Sequence, residues 1–258
     1  MGIVEHLALS PWVVATPPLE RELSRRARAG SSLRWFDPLR VASRAFLDEL
    51  ERIDEVTFGP TGLRMPRWAF YDCAELPGTI LGFGGSRAAL PQTLLGPSEE
   101  SDFVPVSMCM ATPMVTPGEW LVYSLSSLLE RDDPAGAAEL EAETLALALE
   151  LLEPASVHGT MQWESANVAV FAEFAPISIR ATWVPAHTHA ATLVLRLDAA
   201  ERRAHPRGEL PDGFSVDPRD HARLAELQKR IEAGERLELV GIEKTAGLAL
   251  PRVAWGSS

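Results

Sequence analysis

The segment from Asp133 to Pro154 constrains the fold more than any other part of the chain. Asp133 is a good helix cap, Pro134 suits the first helical position, and Pro154 stops a helix. Between them, mostly apolar residues recur at helical spacing and form a wide stripe. The stripe consists of Leu140, Thr144, Leu145, Leu147, Leu149, Leu151 and Leu152. A face of this width predicts a helix that lies on a β-sheet.

Segments typical of β-strands lie on both sides of this helix. Residues 104–111 and 120–128 precede it, and residues 157–163 follow it. Because a strand, helix, strand crossover joins parallel strands, residues 120–128 and 157–163 are predicted to be parallel neighbours. A short helix and two strands are predicted next, at 166–174, 177–184 and 190–197.

The two ends of the chain show weaker patterns. Pro11, Pro17 and Pro18 interrupt residues 1–32, which are predicted to be an irregular lead-in with a short charged helix. A helix is predicted from a cap at Asp37 to about Asp54. The remaining predicted elements are strands at 68–73 and 79–83, a helix at 217–234 and a strand at 237–243.

The chain has 258 residues, and 46% of them are hydrophobic, which is enough to bury a large core. The order of elements predicts an α/β (α+β) fold in which helices flank a mixed central sheet. We expect a single domain over residues 1–258. Its core at 33–198 lies between an N-terminal extension, 1–32, and a C-terminal helix–strand extension, 199–258.

Charge and cysteine content limit the partners and the location. A net charge of −12 opposes binding to nucleic acids and to anionic membranes. No apolar run reaches the ~20 residues that span a bilayer, and Glu5 stands where a secretion signal carries Lys or Arg. Cys73 and Cys109 are too few for a disulfide framework, which favours reduced thiols and a cytoplasmic location.

A metal site has little support in the sequence. His187 and His189 would lie on one face of an extended segment, which is the geometry of a metal-binding pair. No third ligand occurs in the local sequence, and the cysteines have no metal-ligand spacing, so we expect no metal.

Over residues 38–198, the order of one helix, four strands, a helix, a strand, a helix and two strands resembles the GNAT acyltransferase fold. In that family a central strand splays from its neighbour and opens a slot for acyl-CoA. The resemblance implies that residues 120–128 are the splayed strand. It also implies that the loop at 130–137 binds pyrophosphate through N–H groups at the start of the next helix.

The same resemblance implies acetyl-CoA or another acyl-CoA as cofactor and a small-molecule amine as substrate, and it makes a homodimer possible. The cofactor-binding residues that it implies are in the loop, at the end of the splayed strand and in the short helix. They are Ser126, Ser127, Arg131, Ala135, Gly136, Ala137 and Asn167.

Two features depart from the family pattern. Asp132 and Asp133 would face the pyrophosphate, whose negative charge repels carboxylates. Phe174 stands where the family often has a tyrosine that protonates the leaving thiolate. A non-catalytic GNAT-like scaffold that binds a ligand or a partner is therefore the alternative, and an unrelated α+β ligand-binding fold is a third.

The strand at 157–164 alternates between apolar and polar side chains. Its polar face, if the strand is regular, carries His158, Thr160, Gln162 and Glu164. His158 and Glu164 are candidates for the general base that accepts a proton from an amine. The alternative is the solvent-facing side of a half-exposed strand.

Two further candidates lie on the strand predicted to splay. Glu119, at its start, matches the place where some GNAT enzymes keep a carboxylate base, or else it is a polar residue that closes the turn before it. Tyr123 could replace the missing tyrosine as proton donor, or it could be an ordinary core tyrosine.

Overall fold

The computed structural model describes residues 2–27, 33–62, 64–75, 78–96, 101–174, 176–181, 192–198, 212–245 and 248–256. The chain divides into two compact units. The first unit comprises Met1–Pro117 and Val122–Glu153, and the second comprises Gly118–Leu121 and Pro154–Ser258. The single domain predicted from the sequence, with its core at 33–198, stays a prediction.

The first unit packs helices on a mixed set of strands. Its helices are Ile3–His6 (α1), Pro17–Arg26 (α2), Arg44–Phe58 (α3), Arg67–Glu75 (α4) and Pro134–Leu152 (α5). Its strands are Ser10–Val14 (β1), Arg34–Phe36 (β2), Thr79–Ser86 (β3), Phe103–Pro105 (β4), Ser107–Pro113 (β5) and all but the start of Glu119–Ser127 (β6). The strand order is β6-β5-β3-β1-β2, with β4 also on β3. β1 and β2 are parallel, and β3 is antiparallel to β1, β4 and β5.

The core of the first unit is apolar and closely packed. Trp12 on β1 meets Phe46 on α3 edge to face, with ring centroids 5.0 Å apart. On the α5 side, Thr144 and Ser107 share a buried hydrogen bond of 2.7 Å. Gly82 permits the close approach of β3 to the backbone of β5, because a Cβ there would lie 2.1 Å from the Ser107 carbonyl oxygen.

The second unit also combines strands and helices. Its strands are Ser156–Gln162 (β7), Ile177–Arg180 (β8), Thr192–Asp198 (β9), Phe214–Ser215 (β10), Leu237–Thr245 (β11) and Leu248–Trp255 (β12). Its helices are Asn167–Ala172 (α6) and His221–Glu232 (α7). The strand order is β10-β12-β11-β8-β9-β7, and β7 has the start of β6 as its other neighbour. β9 is antiparallel to both β7 and β8.

The predicted fold class, mixed β-structure flanked by helices, is confirmed. α5 begins at Pro134 with Asp133 as its cap, as predicted. The strand prediction at 68–73 is wrong, because α4 covers it. Its buried residues Phe70, Cys73 and Ala74 follow helical spacing rather than alternation.

Other predicted boundaries also shift. The irregular lead-in is wrong, because residues 10–14 form β1 between β2 and β3. α3 begins at Arg44 rather than beside Asp37, whose side chain instead accepts the N–H of Leu39 at 3.0 Å. The helix predicted from residue 217 begins instead at His221, with Asp220 as its cap. β12, which contains a proline, was not predicted.

Metal binding and membrane spans can be compared with the structure only over the described residues. His187 and His189 lie outside the described residues. Within the described ranges, no three metal-ligating side chains come together. No helix in this same part of the chain has the length and apolar character needed to cross a bilayer.

Candidate active site

Glu119, His158, Arg196 and Asp198 form a polar cluster in the second unit. Glu119 Oε2 lies 3.7 Å from His158 Nε2, and Glu119 Oε1 lies 3.5 Å from Nη2 of Arg196. Arg196 Nε donates to Oδ1 of Asp198 at 2.9 Å. One guanidinium thus links two carboxylates, and the imidazole contacts the first of them.

Strand register brings these side chains together. In the β7–β9 ladder, His158 lies opposite Arg196 and Ser156 lies opposite Asp198. Residues opposite each other in an antiparallel pair point to the same face, as do residues two apart along a strand. The alternation predicted for β7 is confirmed, since Val157 and Gly159 are buried while Thr160 and Gln162 are exposed.

Glu119 reaches the cluster because the starts of β6 and β7 lie side by side. The N–H of Ala155 donates to the Gly118 carbonyl oxygen at 2.8 Å. Gly118 has a φ of +83°, which glycine adopts without strain. Adjacent strand starts are the arrangement of parallel neighbours, as the crossover predicts. The divergence of these strands stays a prediction.

The environment of His158 keeps its imidazole neutral. Burial lowers the pKa of His158 below 6.5, the carboxylate of Glu119 raises it, and the guanidiniums of Arg196 and Arg180 lower it further. The side chains of His158 and Glu119 are 15% and 17% exposed, so both are in partial contact with solvent. A neutral imidazole can accept a proton at its unprotonated ring nitrogen.

Two other predicted catalytic residues, Tyr123 and Glu164, are exposed. Tyr123 belongs to the first unit and is 60% exposed, so it is not a core tyrosine. Glu164 lies beyond the end of β7 and lines a cavity of about 260 Å³ with Trp163 and Arg219. His158 does not line that cavity.

The loop at 130–137 uses most of its own N–H groups. Those of Asp132 and Asp133 donate to the Leu129 carbonyl oxygen, at 3.1 and 2.8 Å. Asp133 Oδ1 accepts the N–H of Gly136 at 3.0 Å, and its carbonyl oxygen accepts that of Ala137 at 2.9 Å. Counting acceptors only among the described residues, the loop keeps two free N–H groups, on Arg131 and Ala135.

Asp133 fits closely over the start of α5. A Cβ on Gly136 would lie 2.3 Å from Oδ2 of Asp133, so glycine is needed under the carboxylate. The cap therefore holds a negative charge where the GNAT resemblance implies a pyrophosphate. With Asp132 beside it, this end of α5 fits a phosphate group poorly.

The remaining predicted cofactor residues lie on β6 and at the start of α6. Ser126 and Ser127 on β6 are fully buried, and Ser127 Oγ accepts the N–H of Leu129 at 3.1 Å. Asn167 starts α6 and is partly buried. Their roles in cofactor binding stay predictions. Phe174 is buried in the second unit.

Sequence reasoning missed a carboxyl pair in the first unit. Glu141 is 1% exposed, and burial raises its pKa to about 10, with a further increase from its hydrogen bond to Glu130. Burial also raises the pKa of Glu130. The pair therefore shares a proton at neutral pH. The missed signal is the position of Glu141 between Leu140 and Thr144, within the stripe that α5 buries.

No protein-family model matches the sequence, and no curated protein matches it. Among solved structures, the chain is similar to the ribosomal-protein-S18-alanine N-acetyltransferase from Escherichia coli, with 11% identity, a TM-score of 0.40, and coverage of 64% of this chain and 94% of that one. It is similar to the NatC complex bound to Gag peptide and CoA, with 9% identity, a TM-score of 0.40, and coverage of 63% and 96%.

It is also similar to a putative acetyltransferase of the GNAT family from Desulfovibrio desulfuricans, with 14% identity, a TM-score of 0.35, and coverage of 58% of this chain and 92% of that one. All three likenesses are remote, and the resemblance to GNAT acyltransferases stays a prediction.

Proposed function

We propose that this chain is an acyl-CoA-dependent N-acyltransferase that acts on a small amine, with His158 as general base. The observation that supports this proposal is the contact between a neutral imidazole and Glu119, both within reach of solvent. A base of this kind is needed because an amine attacks only through an unprotonated lone pair.

Three residues of the cluster have separate roles in the proposed reaction. His158 accepts a proton from the attacking amine at its unprotonated ring nitrogen. Glu119 stabilises the imidazolium that forms, because opposite charges attract strongly where solvent is partly excluded. Arg196 holds Glu119 in position through its 3.5 Å contact. Acyl-CoA, when bound, supplies an acyl group that its thioester activates.

The loop before α5 favours a second candidate, a non-catalytic GNAT-like scaffold that binds a ligand or a partner. The loop offers a phosphate group two free N–H groups and the exposed guanidinium of Arg131. The carboxylates of Asp132 and Asp133 repel the same phosphate group. This set of groups does not fit a pyrophosphate well, and Phe174 has no proton to donate. Binding and transfer must therefore be tested separately.

Binding is tested by calorimetry with acetyl-CoA and a longer acyl-CoA. The variant with both Asp132→Asn and Asp133→Asn keeps a capping side chain and removes two negative charges. Each removed repulsion is worth about 1 kcal/mol, so we expect the variant to bind roughly tenfold more tightly or better. The gain should shrink in high salt. If neither protein responds to millimolar acyl-CoA, the enzyme proposal is lost and the scaffold remains.

Transfer is tested by the release of free thiol in the presence of a panel of small amines. His158→Gln should keep acyl-CoA affinity and lose roughly 100-fold in kcat, the usual contribution of a general base. Gln162→Ala, on the same exposed side of β7, is the matched control and should keep full activity. Equal activity of wild type and His158→Gln would exclude His158 as the base.

A further inference from the structure

A separate cavity of about 350 Å³ lies between α3 and α4 in the first unit. Its lining includes three carboxylates and one guanidinium from α3, one guanidinium each from the connection and from α4, and the ring of Phe70. Neither the GNAT resemblance nor the proposed reaction uses any of these residues.

Asp54 is the most buried charged side chain of this cavity, with an exposure of 2%. Its Oδ2 accepts the N–H of Met65 at 2.7 Å. Its Oδ1 is buried and has no hydrogen-bond partner among the residues that the structure describes. A buried carboxylate oxygen without a donor is costly, so it points to a donor that the protein does not itself supply.

The nearby guanidiniums are committed to other carboxylates. Arg52 pairs with Glu49 at 3.0 Å, Arg64 pairs with Glu55, and Arg67 pairs with Asp48 and, at 2.9 Å, with Glu51. The side chains of Arg64 and Arg67 are 64% and 60% exposed, so they lie toward solvent. No guanidinium hydrogen-bonds to Asp54 among the described residues, so only the charge of Arg64 offsets its negative charge at the wall of the cavity.

We propose that this cavity binds a small primary ammonium ligand whose nitrogen donates to Asp54 Oδ1. A charge-assisted hydrogen bond satisfies the unpartnered oxygen and neutralises the buried charge in one contact. Met65, Pro66 and Phe70 provide apolar walls for a short hydrocarbon stem.

Binding should weaken in acid. Burial raises the pKa of Asp54 to about 6, the N–H of Met65 and the charge of Arg64 lower it, and Glu55 and Glu51 raise it. Asp54 is therefore mostly ionised at pH 7.5 and mostly protonated at pH 5. A protonated carboxyl attracts an ammonium group far less.

The test is an NMR titration of the full chain with butylamine and benzylamine, with 1-butanol and benzyl alcohol as neutral matches. We expect saturable shifts of the Met65 amide with the amines and none with the alcohols. Asp54→Asn keeps an acceptor for the Met65 N–H and should weaken amine binding roughly tenfold or more. Asp72→Asn, which removes an exposed charge from α4, should bind as wild type does.

Three results would overturn the proposal: no saturable shift with either amine, equal responses to amines and alcohols, or equal affinity of Asp54→Asn and wild type. A thermal unfolding curve for each variant shows whether it is folded. If Asp54→Asn fails to fold, comparison of amine affinity at pH 5 and pH 7.5 in the wild type decides, and unchanged affinity contradicts the proposal. The His158 cluster belongs to the other unit, so acyl transfer is scored independently.

Discussion

Glu141 in the first unit and Glu119 in the second each contact another titratable side chain, but with opposite consequences. Glu141 is almost fully buried against Glu130, and the proton shared by the two carboxyls takes the place of a countercharge. Glu119 is 17% exposed, and Arg196 supplies the countercharge. The first pair holds a proton tightly, whereas the second cluster leaves its imidazole ready to accept one.

This difference shows that titratable clusters are not equally suited to acid–base chemistry. A carboxyl whose pKa is raised to about 10 by burial keeps its proton at neutral pH, so it cannot serve as a base there. A partly exposed carboxylate such as Glu119 can stabilise a new positive charge on a neighbouring group. The second unit is therefore where we place the chemistry, and the Glu130–Glu141 pair lowers the stability of the first.

The largest expected effect comes from Glu141→Gln. The ordinary pKa of this carboxyl is 4.5, so as the pH rises above that value the unfolded chain loses the proton that the folded chain retains. Wild-type stability should therefore fall as the pH rises from 4.5 toward 10. Removing this titration should stabilise the protein by about 3 kcal/mol at pH 7, and by more at pH 9.

Urea unfolding at pH 5, 7 and 9 measures this effect. Glu143→Gln is the matched control, because it neutralises an exposed glutamate on the same helix. If Glu141→Gln and wild type have the same free energy of unfolding at pH 9, Glu141 is not held protonated in the folded protein.

The sequence predicts the parts of this comparison that depend on local pattern. α5 and its Asp133 cap follow from capping chemistry and helical spacing, and the exposed face of β7 follows from alternation. The contact between His158 and Arg196 does not, because it depends on the register of β7 against β9, two strands far apart in the sequence. Nothing near either residue specifies that register.

The sequence also misleads where a short apolar segment is compatible with both a strand and a helix. Residues 68–73 contain aromatic and apolar side chains that favour a strand by propensity, yet they form part of α4. There, burial of Phe70, Cys73 and Ala74 on one helical face outweighs the weak β-propensity. Helical spacing also places Glu141 on the buried face of α5, but a glutamate is not expected there. It is accommodated only because it shares a proton with Glu130.

A smaller effect is expected at the start of α5. The carboxylate of Asp133 differs from those of Glu141 and Glu119 because it accepts a backbone N–H. Asp133→Ala should destabilise the protein by about 1 kcal/mol, because the N–H of Gly136 loses its acceptor. Asp133→Asn should stay within a few tenths of a kcal/mol of wild type, because asparagine caps about as well.

Urea unfolding at pH 7 measures both variants. Asp132→Ala is the control, since it removes an exposed carboxylate from the same loop without touching the cap. A loss for Asp132→Ala as large as that for Asp133→Ala would mean that charge at this end of the helix, rather than the capping hydrogen bond, supplies the stability.

The smallest expected effects are in the titration of His158 itself, followed through its imidazole NMR signals and assigned with His158→Gln. The pKa of His158 should lie below 6.5 in the wild type, because burial opposes its protonation. Glu119→Gln should lower that pKa further by removing a carboxylate, and Arg196→Met should raise it by removing a guanidinium.

Since protonation is easier in the unfolded chain, His158 reduces the stability of the protein as the pH falls below 6.5, and this loss should be smaller in Arg196→Met. Shifts of the same sign in both variants would show that packing, rather than the charges of this cluster, controls the imidazole.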